Sequence, residues 1–169
     1  MRFHLIDRIE AVDLGKSLRA IKNLTLAEEY LADHFPSFPV MPGVLQLQAL
    51  IEAGSWLLRA SEQFARSVWV LREVRGVKYG SFVAPGRSLR IIVELMKQDG
   101  AMATFKGRGE VENQQSISAT LTLEGFSLRD RNPDWAERDE RLIRELKSHF
   151  DWLTGNRGRH PLADQRTKT

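Results

Sequence analysis

An α+β fold is predicted for this 169-residue chain: a largely antiparallel sheet of about five or six strands around one long apolar helix, with a helical extension at the C-terminus. Three observations carry the prediction. Two stretches between residues 103 and 124 alternate apolar and polar side chains with a strict period of two. The segment from residue 43 to about 60 is apolar around most of a helical circumference. A helical stripe returns only after Asn132.

The elements follow in order. Phe3 to Glu10 and Ser17 to Thr25 read as strands joined by the turn DLGK. LAEEYLADH is short and mixed, a helical turn or a loop. Pro36, Pro39 and Pro42 then break the chain, and Pro42 suits the first position of a helix, where its missing N–H costs nothing. That helix carries Val44, Leu45, Leu47, Leu50, Ile51, Ala53, Trp56, Leu57 and Leu58, a pattern for burial. Val68 to Lys78 and Leu89 to Lys97 are the next strands, with a turn at APGRS. Asp99-Gly100 sits at the centre of the following hairpin turn. In the third run Ala103, Phe105, Gly107, Gly109 and Val111 share one face, and in the fourth Ile117, Ala119, Leu121 and Leu123 do. Gly107 and Gly109 on the apolar face mark the close approach of another backbone, with the buried helix as candidate. Asn132-Pro133 opens a last helix with the stripe Trp135, Leu142, Leu146, Phe150 and Leu153, and Gly155 stops it. The division expected is a main domain at 1–129, an amphipathic helix at 130–154 and a disordered basic tail at 155–169.

Hydrophobic residues make up 42% and charged residues 28%, enough for one sizeable core. There is no cysteine, so disulfides and thiolate metal sites are excluded. The start of the chain alternates and carries charges early, without a signal-peptide core, and no stretch reaches the roughly 18 apolar residues of a membrane span. A cytoplasmic location is expected. The net charge of +3 and the pI of about 9.4 favour an acidic partner or simply a slightly basic surface. No basic patch interleaved with aromatics points to nucleic acid. No metal is expected, because His4, His149 and His160 are scattered.

One constellation can carry chemistry. His34 precedes the long helix by about eight residues. Gly43 and Val44 lie in its first turn, where backbone N–H groups lack intrahelical partners and can polarise a carbonyl. Gln48, Glu52, Ser55 and Arg59, spaced by four, three and four, form one polar stripe on the apolar cylinder. Such a stripe on a buried helix needs partners or a cavity. Each feature also has a plain structural reading: a surface histidine, an ordinary helix start, a solvated helix face.

The segments DRIEAVDLGKSLRAIKNLT, HFPSFPVMPGVLQLQALIEAG and KYGSFVAPGRSLRIIVEL resemble the bacterial 3-hydroxyacyl-[acyl carrier protein] dehydratases, from about Leu5 to Leu128. The resemblance implies a hot dog fold, with a curved antiparallel sheet wrapped around a central helix. It implies a homodimer with active sites between subunits, often a trimer of dimers. It implies conversion of a 3-hydroxyacyl thioester, carried on acidic acyl carrier protein, to a trans-2-enoyl thioester in fatty acid biosynthesis, with no cofactor. Carried over, His34 is the base at C2, the N–H groups of Gly43 and Val44 bind the thioester carbonyl, and the carboxylate that assists the C3 hydroxyl falls at Gln48.

Gln48 therefore departs from the family, as do Asp33 and Ser37, where glycines are usual. The family commonly has a glutamine four residues further on, and here that residue is Glu52. A glutamine can orient a hydroxyl or a water but cannot act as a general acid. Glu52 is about 6 Å further along the helix, and burial would raise its pKa toward an acid's role. It can equally pair with Arg59. Three readings stay open: a dehydratase using His34 with Gln48 and Glu52; a weakly catalytic thioester-binding subunit that pairs with a competent paralogue; and a hot dog thioesterase in which Glu52 activates water. Arg72, Arg75, Lys78 and Arg87 are candidates for docking acyl carrier protein, or a solvated strand face.

Overall fold

Six antiparallel strands in the order β1-β2-β4-β5-β6-β3 curve around one long helix in the computed structural model, which describes residues 4–156. The strands are β1 (Arg8–Asp13), β2 (Ser17–Asn23), β3 (Val68–Tyr79), β4 (Ser88–Asp99), β5 (Met102–Val111) and β6 (Gln114–Phe126). The helices are α1 (Gly43–Ser61), the short α2 (Leu128–Arg131) and α3 (Ala136–Leu153). The expected tail falls almost wholly on residues 157–169, which lie outside the described residues, as does Phe3.

The alternation decides which face of the sheet meets α1. Ala103, Phe105, Val111, Ile117, Leu121 and Leu123 are buried, and Thr104, Lys106 and Thr120 between them are not. Leu50, Leu57 and Leu58 of α1 are fully buried against this face, each contributing about 1.5–3 kcal/mol. Gly107 admits the helix as expected, since a Cβ there would lie 3.1 Å from a Leu50 methyl. Gly109 differs: its added Cβ would meet Ile117 and Leu89, so it relieves crowding among strand side chains. Bulges at Ile9/Ala11, Leu71/Glu73, Arg75/Lys78 and Leu95/Lys97 tighten the local twist of the sheet around the helix.

Several boundaries differ from the sequence prediction, each for a tertiary reason. The first strand begins at Arg8, because the Leu5 N–H is taken by the Glu52 carboxylate at 3.1 Å and not by a neighbouring strand. The second strand stops at Asn23, because Leu24 bonds the Arg87 carbonyl at 2.9 Å. Pro42 is the cap and not the first helical residue; its backbone is extended (φ −54°, ψ 136°). The hairpin turn centres on Gly100-Ala101, between paired Asp99 and Met102, because the positive φ of 57° must fall on Gly100. Trp135 lies in a 3-10 turn (Pro133–Trp135) and is exposed, so it does not join the packed stripe of α3.

The extension folds back on the domain. Leu153 is buried in the main core, with Leu146 and Phe150 packed against it. His149 of α3 stacks on Trp56 of α1 (5.5 Å between centroids) and on His4 (5.0 Å), tying the segment at His4 and α3 to one helix. Burial, and then the neighbouring His4, push the His149 imidazole below its ordinary value of 6.5. Folding thus resists a proton that the unfolded chain accepts, so this contribution is full above pH 6.5 and is lost as the pH falls through that value. Acidification from pH 8 to pH 5 is expected to lower the melting temperature of wild type more than that of His149→Phe, which keeps the stack but cannot titrate. Parallel melts that stay equally spaced at both pH values would refute this.

Candidate active site

His34 follows a 3-10 turn (Glu29–Ala32), and its N–H bonds the Tyr30 carbonyl at 3.1 Å. The prolines keep the next residues out of a helix. The loop instead closes on itself, with Phe35 and Phe38 exchanging backbone bonds and Val40 N–H reaching the His34 carbonyl at 3.1 Å. The His34 Nδ1 lies 3.0 Å from the Val40 carbonyl. A carbonyl only accepts, so Nδ1 carries a proton, and in the neutral imidazole the lone pair is then on Nε2. That is the tautomer a general base needs.

At the start of α1 the Pro42 carbonyl accepts from both Leu45 (2.9 Å) and Gln46 (3.1 Å). The N–H groups of Gly43 and Val44 have no acceptor among the described residues. They point out of the positive end of a 19-residue helix, a ready anion or carbonyl site. Glycine lets the Tyr79 ring lie on the helix start: a Cβ on Gly43 would sit 2.7 Å from that ring.

These parts meet in a cleft of about 420 Å³ lined by His34, Pro42, Gly43, Val44 and the 79–82 turn. Its floor is polar. Ser116 Oγ lies 2.6 Å from both Gln46 Oε1 and the Ser81 carbonyl, and Gln46 and Ser116 are buried. Phe35, Phe38, Val44, Tyr79 and Phe82 leave apolar surface exposed around its mouth. A larger cleft, about 800 Å³, lies between the end of α1 and α3, but charges of both signs line it and none of the predicted site residues reaches it. Among the described residues no three His, Cys, Asp or Glu side chains gather as metal ligands.

The structure brings together His34, Gly43 and Val44 and leaves Gln48 and Glu52 apart from them. Gln48 is exposed on α1, outside this chain's cleft. Glu52 faces the N-terminal segment. Its carboxylate accepts the Leu5 N–H at 3.1 Å and the Trp56 indole N–H at 3.4 Å. Burial pushes its pKa up, opposed by those two bonds and by His4 and Arg59. Arg59 itself reaches the Ser67 carbonyl at 3.4 Å, and burial pulls its guanidinium down to about 10 against the attraction of Glu52. Ser55, the remaining member of the stripe, bonds back to the Ile51 carbonyl at 2.9 Å. Of the basic candidates, Arg72, Arg75 and Arg87 are in ion pairs with Glu124, Glu73 and Glu112. Gln46, Tyr79, Ser81 and Ser116 are the polar cleft residues that sequence reasoning missed. Only Gln46, an amide in an apolar helix, carried a signal.

Comparison with known proteins bears on this site. The FabA-like domain family matches residues 1–120. The 3-hydroxyacyl-[acyl-carrier-protein] dehydratase FabZ of Albidiferax ferrireducens is 40% identical over 123 residues, 71% of this chain and 82% of that protein. The FabZ of Levilactobacillus brevis is 38% identical over 118 residues, 70% of this chain and 80% of that protein. Among solved structures, the dehydratase heterocomplex ApeI:P from Xenorhabdus doucetiae superposes with a TM-score of 0.60 at 16% identity, covering 72% of this chain and 82% of that one. The smu.793 protein of Streptococcus mutans UA159, bound to acetyl CoA, gives 0.57 at 13% identity, covering 74% and 92%. At such identities the superpositions speak for the fold, which is the hot dog fold. With its family matched over most of its length, and relatives near 40% identity covered over four-fifths of theirs, the chain belongs to the FabA-like domain family, alongside the FabZ dehydratases.

Proposed function

We propose that the protein dehydrates a 3-hydroxyacyl thioester, carried on acyl carrier protein, to the trans-2-enoyl thioester, as a cytoplasmic enzyme of fatty acid biosynthesis. The observation that carries this reading is the tautomer of His34. Its Nδ1–H is spent on Val40, and its free Nε2 shares a cleft with two unpartnered helix N–H groups. In this reading the thioester carbonyl sits on the Gly43 and Val44 N–H groups. His34 Nε2 takes the C2 proton, the helix start stabilises the enolate, and the C3–O bond breaks as the leaving hydroxyl gains a proton and departs as water. No membrane-crossing helix is present among the described residues.

The exposed apolar rim of the cleft supports a dimer with a second copy of this chain, because patches of this kind mark association surfaces. Gln48, exposed on α1, is then free to reach a partner's cleft and hold the hydroxyl or a water. Glu52 is not free in this way, since Leu5 and Trp56 of its own chain occupy its carboxylate. That weighs against Glu52 as a displaced acid and against a thioesterase that depends on it. The binding-subunit reading rests on the missing carboxylate at Gln48. We take the domain through residue 129 as the catalytic unit, with the α3 extension as its brace.

The test is hydration of a short trans-2-enoyl thioester, read as loss of enoyl absorbance, with thioester hydrolysis monitored separately. Wild type is expected to hydrate the substrate without hydrolysing it. Glu52→Gln is expected to stay far from the ~10²-fold loss that follows removal of a general acid. It is also expected to melt at or above the wild-type temperature. Burial holds the Glu52 pKa up, so ionisation costs stability as the pH rises through the unfolded value of 4.5, and the amide removes that cost. Hydrolysis that vanishes in Glu52→Gln would establish the thioesterase instead. An inert wild type would leave the binding subunit.

A further inference from the structure

The cleft holds the histidine of the proposed reaction but no carboxylic acid, and Gln48 outside it has no proton to give, so the polar groups of the lining bear on where a proton can come from. Besides His34 the polar side chains there are Gln46, Ser81, Ser116 and Tyr79. Three are committed. Ser116 and Gln46 bond each other in the floor, and Gln46 also reaches the Met41 carbonyl. Ser81 Oγ donates to Gln114 Oε1 at 2.9 Å. Tyr79 is the one hydroxyl of the lining with no protein partner among the described residues, and the residue is 55% exposed.

Its position is held from two sides. Tyr79 ends β3, paired with Ile117, and the Gly80 N–H fastens the chain to the Ser116 carbonyl at 2.8 Å. The ring lies on Gly43, with Cζ 3.0 Å from where a Cβ of Gly43 would be. The hydroxyl is one bond beyond Cζ and so sits beside the helix start that the proposed function assigns to the thioester carbonyl. C3 of such a substrate is two carbon–carbon bonds from that carbonyl, within reach of the phenol. A phenol carries an O–H that can donate to a leaving oxygen, and a glutamine amide cannot act as an acid.

The geometry points to Tyr79 as the proton donor to the departing C3 hydroxyl, a role that rests on the dehydratase reading above. The steps balance. His34 Nε2 takes the C2 proton, the freed electron pair becomes the C2=C3 bond, and the C3–O bond breaks. The leaving oxygen takes the Tyr79 proton and departs as water. The imidazolium returns its proton to the phenolate through solvent, so both residues end as they began.

Tyr79→Phe tests this in the full-length protein, because phenylalanine keeps the ring over Gly43 and removes only the hydroxyl. Hydration of a short trans-2-enoyl thioester is measured per folded molecule, with folding followed by circular dichroism. The expected result is a kcat lower by about 10²-fold with KM changed by less than about threefold, the signature of an interaction made in the transition state. Wild-type kcat in Tyr79→Phe, a raised KM with kcat unchanged, or a fall that only tracks lost folded protein would each overturn the role of Tyr79 and leave the dehydratase reading standing. A wild type inert toward the same substrate overturns both.

Discussion

Replacing His34 with alanine is expected to lower kcat by about 10²–10⁴-fold, the usual worth of a positioned general base. The fold should survive. His34 is half-buried, and its side chain makes one hydrogen bond, to the Val40 carbonyl, worth about 1 kcal/mol. The loop around it is also closed by backbone bonds of Phe35, Phe38, Val40 and Met41, which alanine leaves in place. Enoyl hydration and a thermal melt, run side by side, separate chemistry from folding. A His34→Ala protein within about fivefold of wild type would remove the base from the mechanism, since that is far below the range for such a group.

The largest effect on stability is expected at Asp139, far from the cleft. Its side chain is fully enclosed, with 0% exposure, where α3 meets the core domain. The carboxylate accepts from the Ser67 hydroxyl, the Leu128 N–H (2.8 Å) and Arg129 Nε (2.7 Å). Burial alone would raise its pKa. The bonds from Ser67, Arg129 and Leu128, with the Arg129 charge, outweigh burial and hold it below the ordinary 3.8. Its contribution is therefore complete above that value and is lost as the pH falls through the lower, folded one. Asp139→Ala leaves the buried Ser67 hydroxyl without its acceptor, takes one of two acceptors from the Leu128 N–H and ends the Arg129 ion pair, and is expected to cost about 3 kcal/mol. For a domain of this size that lowers the melting temperature by roughly 6–12 °C. Asp139→Asn keeps an acceptor oxygen and should lose clearly less. Equal melting temperatures for wild type and Asp139→Ala would show that α3 is not anchored here.

Local pattern and long-range assembly divide cleanly in this protein. The strands of β5 and β6 were legible because a period of two is written into neighbouring residues. Helix α1 was legible because a cylinder apolar on most sides has nowhere to go but inward. The place of His34 beside a helix start was legible because it stands in a proline-broken loop just ahead of a Pro-Gly segment. The fates of polar residues were not legible in the same way. Gln48 and Glu52 sit one turn apart on one helix, yet one is exposed and the other is closed off by Leu5, 47 residues away. Asp139 meets Ser67 across 72 residues. In the sequence Tyr79 falls just past a strand read as ending at Lys78, and only the packing of β3 and α1 brings its ring onto Gly43.

The sequence by itself determined the fold class, the buried helix, and the pairing of a histidine with a helix N-terminus. Those depend on periodicity, chain breakers and unpaired backbone donors, all set by residues close along the chain. Only the tertiary structure decided which polar groups are spent and which are free. A hydrogen bond needs its partner within about 3 Å, and the packing of the sheet on α1 determines which distant residues come that close.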